Sequence, residues 1–207
     1  MQNNPKLSIL IPSIPSRFEK MQNLYNRLLI ECKNLPIEIL CLVDNKKRSI
    51  GEKRDDLVQL AKGEYLTILD DDDDFFDGFY ASKIIEAIKE KKDVITFEQL
   101  CSLDGKSFIV DFDLFHKENE PAEIDEFGEY IDIKRLPFHC CVWKTSIAQS
   151  ERFANVGYGE DWDWCKRLIP KCKTQTKIDF ILHRYIFNSQ TTEAPTESNE
   201  VWVNPNK

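Results

Sequence analysis

Gly63-Glu64-Tyr65-Leu66-Thr67-Ile68-Leu69-Asp70-Asp71-Asp72-Asp73-Asp74-Phe75 decides the fold: an apolar run, bounded by a glycine, ends abruptly in five consecutive aspartates, with Asp77 close behind. The first half reads as a buried strand. Five crowded carboxylates repel one another and resist losing water, so a folded chain keeps them only where positive charge offsets them. A divalent cation is the expected partner. Oxygen ligands suit Mg²⁺ or Mn²⁺ better than zinc, and an ion held by one or two carboxylates typically carries a substrate phosphate as well. The C-terminal end of such a strand is where open α/β sheets bind ligands. The competing reading is a solvated acidic loop. An EF-hand register with its glycine on Gly78 puts Phe75 third and Ile84 twelfth, and fails at both ligand positions.

Outward from that stretch the strand-then-helix pattern repeats. Residues 7–11 read as a first strand stopped by Pro12 and Pro15, and residues 17–33 carry Phe18, Met21, Leu24, Tyr25, Leu28 and Leu29 at helical spacing. Residues 37–43 read as a second strand ending at Asp44, and Ser49-Ile50-Gly51-Glu52 is a capping box that opens a helix to about Lys62. Residues 79–91 form an amphipathic segment. This alternation predicts a parallel sheet built from right-handed crossovers. Beyond Lys92 shorter strand-like pieces take over. Residues 94–100 and 108–112 flank Asp104-Gly105, a hairpin signal within a loop expected to exceed two residues. Residues 118–128 read as an exposed loop, 139–143 as a buried strand, 162–169 as a short helix closed by Pro170, and 177–187 as a last strand. The expected division is a first half over 1–100, a second over 101–189 and a polar tail over 190–207.

Composition narrows the function classes. A chain of 207 residues, 42% hydrophobic and 11% aromatic, can bury a substantial core as one compact unit. Its net charge of -8 argues against non-specific nucleic-acid binding, which demands basic surface. Seven cysteines, an odd set without a C-x-x-C pair, suggest neither a disulfide framework nor a zinc knuckle and fit a reducing compartment. Residues 1–6 lack the regions of a signal peptide and no apolar stretch is long enough to span a bilayer, so the expected location is cytoplasmic or peripheral to a membrane.

Three features then occur in order: Leu7-Ser8-Ile9-Leu10-Ile11-Pro12-Ser13; Gly51-Glu52-Lys53-Arg54-Asp55 ahead of the block Ala61-Lys62-Gly63 through Asp73; and Gly159-Glu160-Asp161. Together, over about residues 7–189, they resemble the family 2 glycosyltransferases of the GT-A fold, and the aspartate block looks like that family's DXD region. The resemblance implies a Rossmann-like α/β domain, with a mixed, mainly parallel sheet flanked by helices and fused nucleotide- and acceptor-binding halves. It implies sugar transfer with inversion from a UDP-sugar donor to a hydroxyl of a glycan or related acceptor, assisted by Mn²⁺ or Mg²⁺. The leaving diphosphate needs its charge stabilised, and the attacking hydroxyl needs a base.

The same resemblance distributes roles. Asp72 is the implied metal ligand, with Asp70 and Asp71 near ribose and metal-bound water, and a slip of one residue would pass the ligand role to Asp71 or Asp73. Asp44 would face the uracil ring, Pro12, Ser13, Ile14 and Arg17 would line the base pocket, and Arg54 would contact base or phosphate. Lys53 and Arg48 are weaker candidates of that kind. Asp161 is the implied base, Glu160 the fallback, and His183 a further metal contact. Each has a bland alternative: a strand-terminal turn for Asp44, a surface helix salt bridge for Arg54, a helix N-cap for Asp161 and a satisfied structural histidine for His183. Trp162 and Trp164 could stack on sugars, although large aromatics are more often core. His139 beside Cys140 and Cys141 lacks any catalytic thiol pattern, and a buried strand explains the cysteines. Two other functions stay open: a nucleotidyltransferase, although 12–17 is no Gly-rich phosphate cradle, and a non-catalytic carbohydrate- or cation-binding module.

Overall fold

A computed structural model describes residues 4–187, so the expected tail over 190–207 and the last two residues of the resemblance lie outside the described residues. In chain order the elements are β1 (Leu7–Ser13), α1 (Phe18–Glu31), β2 (Ile37–Val43), α2 (Ile50–Leu60), β3 (Tyr65–Ile68), β4 (Asp74–Phe75), α3 (Tyr80–Ile88), β5 (Val94–Leu103), β6 (Lys106–Phe112), β7 (Ile133–Arg135), β8 (Val142–Lys144), α4 (Thr145–Ala148), α5 (Glu160–Leu168) and β9 (Gln175–Phe187). All seven residues of β1 are buried, as its continuous apolar run requires of a central parallel strand. β1 pairs in parallel with β2 on one side and β3 on the other. Their C-terminal ends, at Ser13, Val43 and Ile68, therefore lie along one edge.

One mixed sheet runs β2-β1-β3-β8-β5-β6-β7, with β9 parallel to β5 and β4 antiparallel to β9. Helices cover both faces. Met21, Leu24 and Leu28 of α1 and Ile84 and Ile88 of α3 pack on Ile9 and Ile11 from one side. Leu57 and Val58 of α2 and Trp164 and Leu168 of α5 pack on the other, around Leu10, Leu66 and Trp143. No helix among the described residues is long and apolar enough to cross a membrane.

Two local expectations are corrected. The hairpin joining β5 to β6 has a two-residue turn, because Asp104 (φ 47°) and Gly105 (φ 89°) both take the left-handed region and Leu103 pairs directly with Lys106. His139 is not in a strand. Phe138 O accepts the Cys141 backbone N–H at 2.9 Å and the Trp143 indole N–H at 3.1 Å, so the chain turns at 138–141 and β8 begins only at Val142. The antiparallel entry of β8 between β3 and β5 is likewise beyond what helix–strand alternation predicts.

α2 begins as its capping box predicts, with Ser49 Oγ accepting the Glu52 N–H at 3.0 Å. Its first turn lies so close to a distant loop that a Cβ on Gly51 would sit 1.9 Å from Ala154 O. Glycine is the side chain that fits. Gly51→Ala is therefore expected to lower stability by about 1–3 kcal/mol, the usual cost of overpacking against unyielding backbone, as read by urea denaturation. An unchanged midpoint would mean that the 154 loop yields freely.

Candidate active site

The shared edge of β1, β2 and β3 gathers most of the residues singled out in the first half. Ser13 Oγ donates to Asp71 Oδ2 at 2.6 Å, and Arg17 reaches Asp71 Oδ1 at 3.0 Å and Asp72 Oδ2 at 2.9 Å. Lys53, buried in α2, donates from Nζ to Ser13 O at 3.1 Å and lies 3.4 Å from Asp44 Oδ1. Asp44 also accepts the backbone N–H groups of Lys46 and Arg48. Burial alone would raise its carboxyl, but those N–H groups and Lys53 hold it below the ordinary value. It is thus a turn-forming acid and a member of the cluster at once. Pro12 and Ile14 flank Ser13 as buried apolar wall, whereas Arg48 pairs with Asp56 away from the aspartates.

Arg54 follows Lys53 on α2 and is no surface salt bridge: it is 5% exposed. Nη2 donates to both oxygens of Asp70, at 2.8 and 2.6 Å. Nη1 meets Glu160 and lies 3.8 Å from Asp161 Oδ2. Burial would lower the guanidinium pKa, but the three carboxylates raise it beyond its ordinary range. In return, although burial pushes the Asp70 carboxyl upward, Arg54 and His139 hold it well below the usual carboxylate range. Glu160 goes the other way: burial raises it against the pull of Arg54, and Asp161 adds to the rise.

The aspartates that follow Asp70 diverge to separate partners. Asp73 Oδ2 lies 3.3 Å from His183 Nε2, and Asp74 meets Arg27 at 2.5 Å. Asp72 is left with a share of Arg17. Burial raises its carboxyl from the ordinary 3.8 to about 6, against Arg17, with Asp70, Asp73 and Asp71 adding repulsion. His183 is buried beneath Asp73, with Nδ1 2.7 Å from the Gln99 amide nitrogen and Nε2 free of hydrogen bonds. The Gln99 amide oxygen in turn accepts the Cys101 thiol at 3.2 Å, which fixes the amide nitrogen on Nδ1. With Nδ1 taking the Gln99 amide N–H, the ring carries its proton on Nε2, the nitrogen that faces Asp73.

Across the cleft, α5 starts from Gly159 in the left-handed region (φ 76°), so Gly159 rather than Asp161 is the N-cap. Asp161 Oδ1 accepts the Trp162 N–H at 2.6 Å, while its Oδ2 faces Arg54 and His139. Trp164 stacks on Phe153 and is core, whereas Trp162 is half-buried. His139 is the residue that reading the sequence passed over. It is 6% exposed, with Nε2 3.4 Å from Asp70 Oδ2 and Nδ1 3.7 Å from Asp161 Oδ2. Its one sequence signal is a histidine two residues after Pro137.

Among the described residues no three His, Cys, Asp or Glu side chains converge closely enough to cage a metal ion alone. A donor set of one or two carboxylates completed by phosphate oxygens is what Mg²⁺ or Mn²⁺ usually takes, and the under-compensated Asp72 fits it.

No protein-family model and no curated protein matches the chain. Solved structures do. S. aureus TarS 1–349 in complex with UDP-GlcNAc aligns with a TM-score of 0.63 at 14% identity, over 95% of this chain and 61% of that one. The same TarS region in complex with UDP gives 0.62 at 14% identity, over 88% and 60%. TarS itself gives 0.56 at 12%, over 88% of this chain and 37% of that one. The likeness is one of fold, the GT-A-like glycosyltransferase fold, and the chain spans about three-fifths of the length of TarS 1–349.

The raised Asp72 carboxyl has a measurable consequence. Its charge opposes folding wherever it is ionised in both states, because the folded state holds its proton to higher pH than the unfolded chain. Asp72→Asn should therefore stabilise the metal-free protein at pH above about 7 by on the order of 1–3 kcal/mol. The gain should shrink as pH falls through about 6 and vanish below the ordinary 3.8, where the carboxyl is protonated in both states. Denaturant titrations across that range, without divalent metal, provide the check.

Proposed function

We propose that the chain is a metal-dependent, inverting glycosyltransferase that moves a sugar, of hexosyl type, from a UDP-sugar to a hydroxyl of a glycan or related acceptor. One observation carries this reading: Asp70 from the end of β3 and Asp161 from the start of α5 face each other across the same two side chains, Arg54 and His139. Carboxylates on opposite sides of one cleft suit a reaction with a leaving group on one side and a proton to remove on the other. The fold shared with TarS, which was solved with UDP-GlcNAc and with UDP, supports the donor class.

In this proposal residues 1–100 hold the donor and residues from 101 onward supply the acceptor side. Asp44 takes the uracil ring, with Pro12, Ser13, Ile14 and Arg17 as its wall, and Asp70 and Asp71 lie toward the ribose. Arg54 holds Asp70 through Nη2, which reaches both carboxylate oxygens while Nη1 turns to Glu160. Asp72 would hold a divalent cation, which when bound neutralises charge on the leaving diphosphate. Asp161 takes the proton of the acceptor hydroxyl as that oxygen bonds to the anomeric carbon. The bond from that carbon to the diphosphate breaks, and UDP departs with the electron pair. Asp161 suits the role better than Glu160, because its side chain is 25% exposed while that of Glu160 is 3% exposed and bound to Arg54. Seven free cysteines support a cytoplasmic, reducing setting.

Calorimetry with UDP tests the reading. UDP is expected to bind, and to bind more tightly with Mn²⁺; absence of any metal-dependent UDP binding by the intact chain would sink it. Asp72→Ala should lose the Mn²⁺ enhancement. Asp161→Asn should keep UDP affinity and slow UDP release from UDP-GlcNAc by about 10²-fold or more, the usual share of a general base.

A further inference from the structure

His139 has no part in the chemistry set out above. A buried polar atom without a hydrogen bond costs free energy, so a histidine retained for packing alone satisfies at least one ring nitrogen. Neither nitrogen of His139 has such a bond among the described residues. Both face carboxylates instead, Nε2 toward Asp70 and Nδ1 toward Asp161. The ring is aimed by backbone. Phe138, whose ring centroid lies 4.5 Å from the imidazole, anchors the turn through its carbonyl, which takes the Cys141 N–H and the Trp143 indole.

We propose that His139 is a positioning residue for the transfer: wedged between Asp70 and Asp161, its imidazole sets the gap between the nucleotide-side carboxylate and the carboxylate that takes the proton. The inference rests on the glycosyl-transfer reading. Arg54 cannot set that gap alone. Its fork is committed to Asp70 and Glu160, and it stands 3.8 Å from Asp161. Among the described residues the hydrogen bond that restrains Asp161 comes from the N–H of its neighbour Trp162, which fixes Oδ1 and leaves Oδ2 to swing. A planar ring facing both acids gives each a common point of reference and stops Oδ2 of Asp161 from swinging into the space that an acceptor must enter. Contacts of 3.4 and 3.7 Å exceed hydrogen-bond length, so the ring has room to close on either oxygen when a donor is seated. Misplacing a reacting group by about 1 Å costs on the order of 10²-fold in rate, so the effect belongs in turnover rather than in binding.

His139→Ala and His139→Gln, compared with wild type, test this. The measurements are melting temperature, UDP affinity with Mn²⁺ by calorimetry, and kcat and KM for UDP release from UDP-GlcNAc with water as the acceptor. UDP affinity and KM should stay within about threefold, while kcat falls at least about tenfold in His139→Ala and partly returns in His139→Gln. If His139→Ala does not fold, the His139→Gln split between kcat and KM decides. The inference is overturned if kcat is unchanged while wild type turns over, or if kcat, UDP affinity and melting temperature fall together as for a packing residue. A wild-type protein that neither binds UDP nor releases it from UDP-GlcNAc would instead overturn the glycosyl-transfer reading, and this inference with it.

Discussion

The buried guanidinium of Arg54 is the interaction on which the site depends. It joins the end of β3 to the start of α5 by meeting Asp70, Glu160 and Asp161 at once. Burying such charges costs desolvation that the ion pairs must offset, so the arrangement is weak evidence for stability and better evidence for geometry. Arginine suits the task because its planar fork grips two carboxylates in fixed directions, which a lysine ammonium cannot do. α2 can deliver that fork because Ser49 caps its first turn and Gly51 lets the turn press on the 154 loop. The segment from Ser49 to Asp55 therefore encodes one device. Asp55, at its end, receives Arg152 and the Phe153 N–H and pins the same loop from the other side.

Five adjacent aspartates are tolerable because the fold separates them. Asp70 goes to Arg54 and His139, Asp71 to Ser13 and Arg17, Asp73 to His183, and Asp74 to Arg27. Burial pushes the Asp72 carboxyl up, and Arg17, which Asp72 shares with Asp71, does not offset it as Arg54 and His139 do for Asp70. Negative charge is thus balanced where the chain enters the loop and in excess in its middle. A divalent ion carried with a diphosphate would meet its strongest field there, and the cations supplied by the protein hold the rest of the loop in shape whether or not the ion is bound.

The first half of the fold was legible because its signals are long and local. Apolar strand runs, an amphipathic first helix and a capping box each carry enough residues for the period to show, and β1, β2, α1 and α2 lie within a few residues of where those periods put them, although β1 continues through Pro12 to Ser13, where its stop was expected at Pro12. The second half depends on pairings between distant segments, which no local period records. β8 contributes three residues and enters antiparallel between β3 and β5. His139 was hidden for the same reason. Its apolar neighbours read as strand, and the turn that points its ring into the cleft is made by the Phe138 carbonyl bonding to Cys141 and Trp143. The acids at strand ends could be picked out one by one, but not which partner each would meet, since those partners come from Arg17 and α1, α2, the 139 turn and β9.

The two acids that open α5 illustrate how much of a site lies in the division of labour between neighbours. Adjacent helical residues point about 100° apart, so Glu160 turns into the protein while Asp161 stays at the cleft. Were Glu160 absent, the free arm of Arg54 would have Asp161 as its nearest remaining carboxylate, 3.8 Å away, and would draw it into a tight ion pair. A carboxylate so paired is a poor proton acceptor, because the paired form is stabilised and its pKa falls. Glu160 occupies that arm and bears the cost of burial, as its raised carboxyl records. Asp161 is thereby left partly solvated at the cleft, and in the proposed transfer it is the buried member of the pair that keeps the exposed one open to an acceptor.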